Sequence, residues 1–357
     1  MTVPTGTTWG SSTDAAGIAA RLSAARRAVI VTHGKPDGDA VGSTLAVARA
    51  LALKGAWAEV WYIGPTSPWV EPLVGKTPSR VFEPAKPATG PKLDDFDTLV
   101  CVDTGTWSQL SEFKGWMSAF SDRAVLIDHH LHGDPDVAAL RLVEMKAASC
   151  TQALAPVLCK LLGSDTAADL PLEIAEPLYL GLATDTGWFR HSSVTRETMV
   201  LGGDLLAAGV DHTKLYRVIE QQDQPGRWKL LGRSLSSLEI HGNGRFAIQT
   251  IRAKDFAETG ATRNDTTGFA DMVLAVNSVQ ASAVIVEGED NGGGGGAGIA
   301  AASPVSKISM RTKPGPDAID ANKLLGALGG GGHARAAGAK VKASADDTKG
   351  KLLELLK

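Results

Sequence analysis

The sequence predicts an α/β fold in two parts, and three observations carry that expectation. Several short apolar runs rich in β-branched residues are each followed by an amphipathic stretch, the pattern of strands feeding helices over a mainly parallel sheet. The chain has 357 residues, enough for two domains with separate cores. Its composition, 43% hydrophobic and 21% charged, is that of an ordinary globular protein.

Residues 28–32 (AVIVT) form the first expected strand, followed by a turn of Gly, Pro and Asp and a helix from about Ala40 to Lys54 whose small residues suit close packing. Residues 59–63, 98–102 and 124–127 read as the next three strands, and 170–186 as helical. From 211 to 240 the pattern is helical and charged, broken at 221–226 (QQDQPG). The expected division is a first domain over 1–215, a helical linker over 216–240 and a smaller α/β or α+β domain over 241–357. That second domain should contain strands at 246–251, 282–286 and 305–310 and close with a helix over 346–356. Five consecutive glycines at 292–296 cannot bury apolar surface to offset their ordering entropy, and read as a loose loop. The Pro-rich piece 64–91 has no conformation that follows from its residues, and no repeat recurs at a fixed period.

Bulk properties exclude several classes of function. The cysteines Cys101, Cys150 and Cys159 are odd in number and lack metal-ligand spacing, which points to a reducing compartment, the cytoplasm. Residues 1–12 are polar, without the basic start and apolar stretch of a signal peptide. No window approaches the roughly 20 apolar residues of a membrane span. A formal charge of −3 argues against a general nucleic-acid binder. Residues 241–357 hold 14 Lys/Arg against 12 Asp/Glu, while residues 1–240 hold 22 against 27. Cations would gather on the acidic part, and an anionic substrate could meet the mildly basic one.

The residues with chemistry to offer stand where apolar runs end. His33-Gly34-Lys35-Pro36-Asp37-Gly38-Asp39 follows the first strand, Asp103 the third, and Asp128-His129-His130 the fourth; Asp185 comes from the helical region. Ligands of open α/β sheets gather beyond the carboxyl ends of strands, so three of these segments share one rim. Asp37 and Asp39 would repel across one glycine unless a cation lay between them, and Gly38 and Gly42 let backbone approach the site. The same run serves equally as a solvated turn with a helix cap, and Asp103 equally as an N-cap. Asp128-His129-His130 sets three costly polar groups beside a core, and coordination or acid/base work is the ordinary reason to accept that cost. Imidazole with carboxylate oxygen suits Mn²⁺ better than Mg²⁺, with Zn²⁺ as the alternative.

These motifs resemble those of the DHH phosphoesterase superfamily, whose namesake triplet stands here as Asp128-His129-His130. Residues 181–193 (GLATDTGWFRHSS) resemble its fourth motif, and 330–338 (GGGHARAAG) resemble the glycine-rich signature of the DHHA1 substrate-binding domain. The similarity is closest to bacterial oligoribonucleases and 3′-phosphoadenosine-5′-phosphate (pAp) phosphatases, some of whose relatives also open cyclic dinucleotides. The resemblance implies that His33 and Asp37 hold one metal, that Asp39, His129 and Asp185 hold a second, and that Asp103 bridges them. Asp128 would orient an imidazole. A hydroxide shared by the two cations would attack phosphorus in line, with His130 protonating the leaving group or contacting the phosphate. In the second domain the resemblance implies backbone N–H groups of Gly330, Gly331 and Gly332 and the imidazole of His333 on an anion. Arg311, at an expected strand end, could grip phosphate bidentately. Arg190 is a further candidate substrate contact, whereas Trp188 and Phe189 read as core packing. A homodimer is implied too. The glycine run lacks the Gly-Lys-Ser/Thr ending of a P-loop, so ATP binding is not expected.

The expected activity is that of a phosphoesterase with two divalent ions, Mn²⁺ foremost, acting on very short RNA, pAp and linear or cyclic dinucleotides. Long duplexes are not expected partners, nor are membranes. An aromatic content of 5% and a net negative charge leave little room for a long basic groove with stacking rings. An inorganic pyrophosphatase of the same superfamily is the rival enzyme, and would want a Lys- and Arg-heavy second domain in place of the 330–338 signature. A nucleotide-binding regulatory module without turnover is the rival from another class.

Overall fold

The computed structural model describes residues 8–64, 66–82, 95–289, 304–315 and 318–356. The glycine stretch 292–296 and part of the Pro-rich piece 64–91 lie outside the described residues. The chain divides between Gln222 and Asp223 into two compact units. In the first, α1 (Ala15–Ser23) leads into β1 (Arg27–Val31), α2 (Gly38–Leu53), β2 (Trp57–Ile63), α3 (Val70–Val74) and β3 (Ser79–Phe82). Then come β4 (Thr98–Val102), α4 (Lys114–Met117), β5 (Ala124–Asp128) and β6 (Leu140–Val143). Four helices complete the unit: α5 (Cys150–Leu162), α6 (Leu172–Asp185), α7 (Arg196–Ala207) and α8 (His212–Glu220).

All six strands are parallel, in the order β3-β2-β1-β4-β5-β6. The central strands are apolar without alternation because helices cover both faces of the sheet. Val29 to Val31, Leu99 to Val102 and Val125 to Ile127 are all buried. One face packs on a core with Leu45, Leu154 and Leu178 from α2, α5 and α6, and the other on Phe113, Met117 and Phe120. The strand order reverses between β1 and β4. There the loops leaving the carboxyl ends part in opposite directions and open a crevice. The two edge strands, β3 and β6, have four residues each, too few for an apolar run or an alternation to stand out from turns, and neither is among the strands expected above.

In the second unit α9 (Pro225–Ser236), β7 (Glu239–His241), β8 (Phe246–Ile251), α10 (Ala253–Thr259), α11 (Phe269–Val273) and β9 (Ala281–Glu289) come first. They are followed by β10 (Pro304–Thr312), α12 (Ala321–Gly326), β11 (Gly331–His333), β12 (Ala336–Val341) and α13 (Ala345–Leu355). The sheet order is β11-β12-β10-β9-β8-β7, with only β8 and β9 parallel among the described strands. One face buries Ile285, Ile308 and Met310 against Leu325 and Leu352; the other buries Val284 and Ile251 against Leu230 and Phe269.

The division between the two units falls within residues 216–240. Leu215 of α8 joins the core of the first unit, and Leu230 and Leu231 of α9 join that of the second. Each helix buries so narrow an apolar stripe that the whole stretch reads as polar.

Candidate metal centre

The crevice between β1 and β4 is where the acidic and imidazole groups gather. His33 follows β1, Asp103 follows β4, and Asp128 ends β5 with His129 directly after it. Asp37 caps α2, its Oδ1 accepting from the amides of Asp39 and Ala40, both at 3.1 Å. Asp39 sits inside the first turn of α2, where the positive helix end favours a carboxylate. Asp185 closes α6, which packs directly against α2. That packing needs glycine. A Cβ on Gly42 would overlap the Pro177 carbonyl of α6, and one on Gly181 would overlap Asp39 and Thr151. A Cβ on Gly38 would overlap Thr184, so Gly38, Gly42 and Gly181 together let the two ligand-bearing helices come close.

Two groups result, His33 with Asp37 and Asp103, and Asp39 with His129 and Asp185; in each, the possible ligand atoms lie within 4.8 Å of one another. A third grouping joins Asp103 with His129 and His130. Asp103 presents Oδ2 to His33 Nε2 and Oδ1 to His129 Nε2, both at 3.6 Å. His129 Nε2 is also 3.8 Å from Asp39 Oδ2 and 3.7 Å from Asp185 Oδ2, and His33 Nε2 is 4.0 Å from Asp37 Oδ1. Ligands with bonds of about 2.1 Å to a single cation stand roughly 3.0–3.4 Å apart, so these side chains need to close only slightly to share one. Asp103 holds a left-handed backbone, φ 58°, which few residue types besides glycine, asparagine and aspartate tolerate.

The imidazoles are aimed by their other nitrogens. Nδ1 of His33 lies 3.0 Å from the Gly34 carbonyl, and Nδ1 of His129 lies 3.3 Å from that of Ala147. An N–H at Nδ1 leaves the Nε2 lone pair for a metal. Asp39 is buried and accepts from the Thr151 amide at 3.0 Å, the Thr151 hydroxyl at 2.9 Å and the Cys150 amide. Asp128, fully buried, accepts on Oδ1 from the amides of His129 and His130 and from Nδ1 of His130, the last at 2.6 Å. The imidazole it orients is that of His130.

Electrostatics in the metal-free protein reflect crowded carboxylates. Burial alone would lower the pKa of His33, but Asp103, the Gly34 carbonyl and Asp37 outweigh it and push the value up to about 9. His129 follows the same logic, with burial opposed by Asp103, Asp39 and Asp185, and also stands near 9. Burial, together with Asp103 and Asp37, lifts Asp185 to about 6 against the attraction of His129 and His130. Asp39 is raised by burial beside Asp103 and Asp185. Asp103 is lowered, because the two imidazoles overcome its burial. His130 is raised by its bond to Asp128. Four carboxylates around two imidazoles form an oxygen-rich donor set with excess negative charge, which is what a pair of divalent cations requires.

Comparison with known proteins settles the family. The model of the DHH family, N-terminal domain, matches residues 27–182, and that of the DHHA1 domain matches residues 243–357. The chain belongs to the DHH/DHHA1 phosphoesterase family. As a DHH/DHHA1 protein it is a metal-dependent phosphoesterase. It is 29% identical over 315 residues, 88% of this chain and 83% of the relative, to the bifunctional oligoribonuclease and PAP phosphatase NrnA of Thermus thermophilus. An exopolyphosphatase-related protein from Bacteroides fragilis shares the fold, with a TM-score of 0.82 and 22% identity over 96% of this chain and 95% of that one. Exonuclease RecJ bound to manganese aligns at a TM-score of 0.54 and 16% identity, over 97% and 95% of the two chains.

Elsewhere in this DHH/DHHA1 phosphoesterase the candidate substrate residues are placed as follows. Arg190 is exposed and its Nε donates to the Gly187 carbonyl at 2.6 Å, outside the two ligand groups. Arg311 lies on β10, with Nε 3.4 Å from Asp271 Oδ1. Gly331, Gly332 and His333 form the exposed strand β11, paired to β12. The amide of Gly330 donates to the Leu325 carbonyl at 2.8 Å. A Cβ on Gly330 or Gly332 would overlap the carbonyls of Gly338 or Ala336, so these glycines serve the close approach of β11 to β12. Sequence reasoning missed Thr151, whose two hydrogen bonds hold Asp39. The Ser149-to-Gln152 spacing, a capping pattern in which Ser149 accepts from the Gln152 amide at 3.0 Å, is the local signal that a helix starts there.

Proposed function

We propose that this phosphoesterase hydrolyses pAp and very short oligoribonucleotides, with linear and cyclic dinucleotides in the same substrate class, using two Mn²⁺ ions. The observation that supports it best is the division of Asp103 between two imidazoles, one on each carboxylate oxygen at 3.6 Å. In this reading His33 and Asp37 hold one ion, Asp39, His129 and Asp185 the other, and Asp103 both. When bound, the ions lower the pKa of water and neutralise charge on the phosphate oxygens.

The rest falls to the chain itself. His130, fixed through Nδ1 by Asp128, has Nε2 left to contact the phosphate or give a proton to the departing oxygen. Arg190 is the candidate substrate contact of the first unit, and Arg311, Gly330, Gly331, Gly332 and His333 are those of the second. The Thermus thermophilus relative's name as an oligoribonuclease and PAP phosphatase supports this substrate class, and the manganese of RecJ the choice of ion. A cytoplasmic homodimer belongs to the same reading, and sedimentation of the purified protein measures the dimer.

The test is a side-by-side assay of the purified chain with Mn²⁺ on pAp, a short RNA, a cyclic dinucleotide and pyrophosphate. Release of phosphate from pAp together with mononucleotides from RNA is the expected result. Phosphate from pyrophosphate alone, or binding without product, would replace the reading with one of its two rivals.

A further inference from the structure

The loops that carry Asp103 and His130 are held together by a side chain that belongs to neither. Trp9 comes from the segment preceding α1. Its indole N–H donates to the carbonyl of His130 at 3.0 Å. Its ring fills a space bounded by two glycines, Gly105 and Gly133. A Cβ built on either would overlap the ring. Gly105 lies two residues beyond Asp103, and Gly133 three beyond His130. Neither has a left-handed backbone, so the room each leaves for the ring, and not a strained φ, is what glycine provides there.

The segment bearing Trp9 is anchored along β6, the sheet edge. The Ser11 hydroxyl donates to the Val143 carbonyl at 3.1 Å and accepts from the Val143 amide at 2.8 Å. The Ser12 hydroxyl accepts from the Arg141 amide at 2.8 Å. Buried Arg141 returns Nε to the Gly10 carbonyl at 3.2 Å. At the far end Asp134 joins the same two loops, its amide donating to the Gly105 carbonyl at 2.7 Å and its carboxylate accepting from the Trp107 amide at 2.7 Å. Trp9 adds the contact to His130 itself. The His130 amide and Nδ1 are fixed by Asp128 and its carbonyl by Trp9, so the imidazole is held from both sides of its own peptide.

We infer that Trp9 is a positioning residue for the hydrolytic centre, setting the His130 loop against the loop that follows Asp103. The inference rests on the proposed role of His130 at the phosphate. Displacing a reacting group by about 1 Å costs up to about 100-fold in rate, so loss of the ring should fall on turnover more than on binding.

The experiment uses the full chain with Mn²⁺ and pAp, and measures kcat, KM, Mn²⁺ affinity by calorimetry and amide hydrogen exchange. Trp9→Ala should lower kcat about 10- to 100-fold with KM and Mn²⁺ affinity within about threefold of the parent, and should speed exchange in residues 103–109 and 129–136 selectively. Trp9→Phe, which keeps a ring without the N–H, should recover only part of the rate, the shortfall being the lost contact to the His130 carbonyl. Gly133→Ala, whose new methyl meets the ring, should lower kcat in the parent and have little further effect when combined with Trp9→Ala. Should Trp9→Ala fail to fold, Trp9→Phe and Gly133→Ala carry the test. Unchanged kcat in Gly133→Ala, additive losses in the double variant, or unaltered exchange in 129–136 would overturn the inference. A parent enzyme inactive on every substrate would sink the functional reading instead, and exchange would still report whether Trp9 holds the loop.

Discussion

Nδ1 of His130 and Oδ1 of Asp128 stand 2.6 Å apart, with the imidazole half exposed and the carboxylate fully buried. The aspartate raises the imidazole pKa and fixes which nitrogen faces outward. Asp128→Asn should therefore lower kcat by about 10- to 100-fold, the usual loss on removing an orienting partner, while Mn²⁺ binding stays close to the parent. Steady-state kinetics on pAp with a parallel calorimetric titration checks both halves. Loss of metal binding in step with rate would place Asp128 among the ligands.

Asp103→Asn should abolish most turnover without harming the fold. Asparagine tolerates the left-handed backbone at this position, so the chain should still fold, with a lower melting temperature in the metal-free protein because His33 and His129 lose the charge they face. It cannot supply two anionic oxygens. A loss of about 10³-fold or more is expected, since several kcal/mol of charge stabilisation go with it. Metal analysis should show fewer than two ions retained per chain.

Thr151→Val keeps the shape of the side chain but removes the hydroxyl that donates to Asp39 at 2.9 Å. A hydrogen bond to a charged group contributes about 1.5–3 kcal/mol, and here it orients a proposed ligand. Mn²⁺ affinity should fall by about 10- to 100-fold. Titration calorimetry measures it directly, and an unchanged affinity would mean that the two backbone amides suffice.

Gly42→Ala sets two effects against each other. Alanine is the better helix former by about 1 kcal/mol, but its methyl would overlap the Pro177 carbonyl, and overpacking costs about 1–3 kcal/mol. The clash should win, giving a lower melting temperature and weaker metal binding as α6 moves Asp185 away. A stabilised variant would show that the helices can part without consequence.

His33 and His129, held near 9 in the metal-free protein, couple metal binding to pH. Both are protonated at neutral pH and must lose that proton to coordinate. Mn²⁺ affinity should rise with pH up to about 9, and binding should release protons, measurable as heats that change with the buffer's ionisation enthalpy. The folded pKa values lie above the unfolded value of 6.5, so the stability that these groups contribute is complete below pH 6.5 and is lost as pH rises through 9. Their contribution to the melting temperature of the metal-free protein should fade across that window. A flat affinity profile would contradict the pairing.

Much of this architecture could be read from residues because the physics is local. The apolar runs at 99–102 and 124–127 are short and rich in β-branched residues, which reads as strands buried on both faces, and costly groups at their ends mark the rim. What could not be read depends on contacts distant in sequence. Nothing near Gly330 says that Gly338 will lie against it, and nothing near Gly42 announces Pro177, 135 residues later. The edges β3 and β6 are too short to stand out before their partners are known, and the helical pattern of α8 and α9 does not say which core each one joins.

The side chains gathered at the β1–β4 crevice are drawn from positions 33 to 185, and the Asp103 amide is itself tied to the Ile127 carbonyl at 3.0 Å. A chain still emerging from the ribosome has no complete pair of ligand groups until α6 has docked on α2. Uptake of divalent ions must then follow tertiary closure, so the order of assembly is packing first and coordination second.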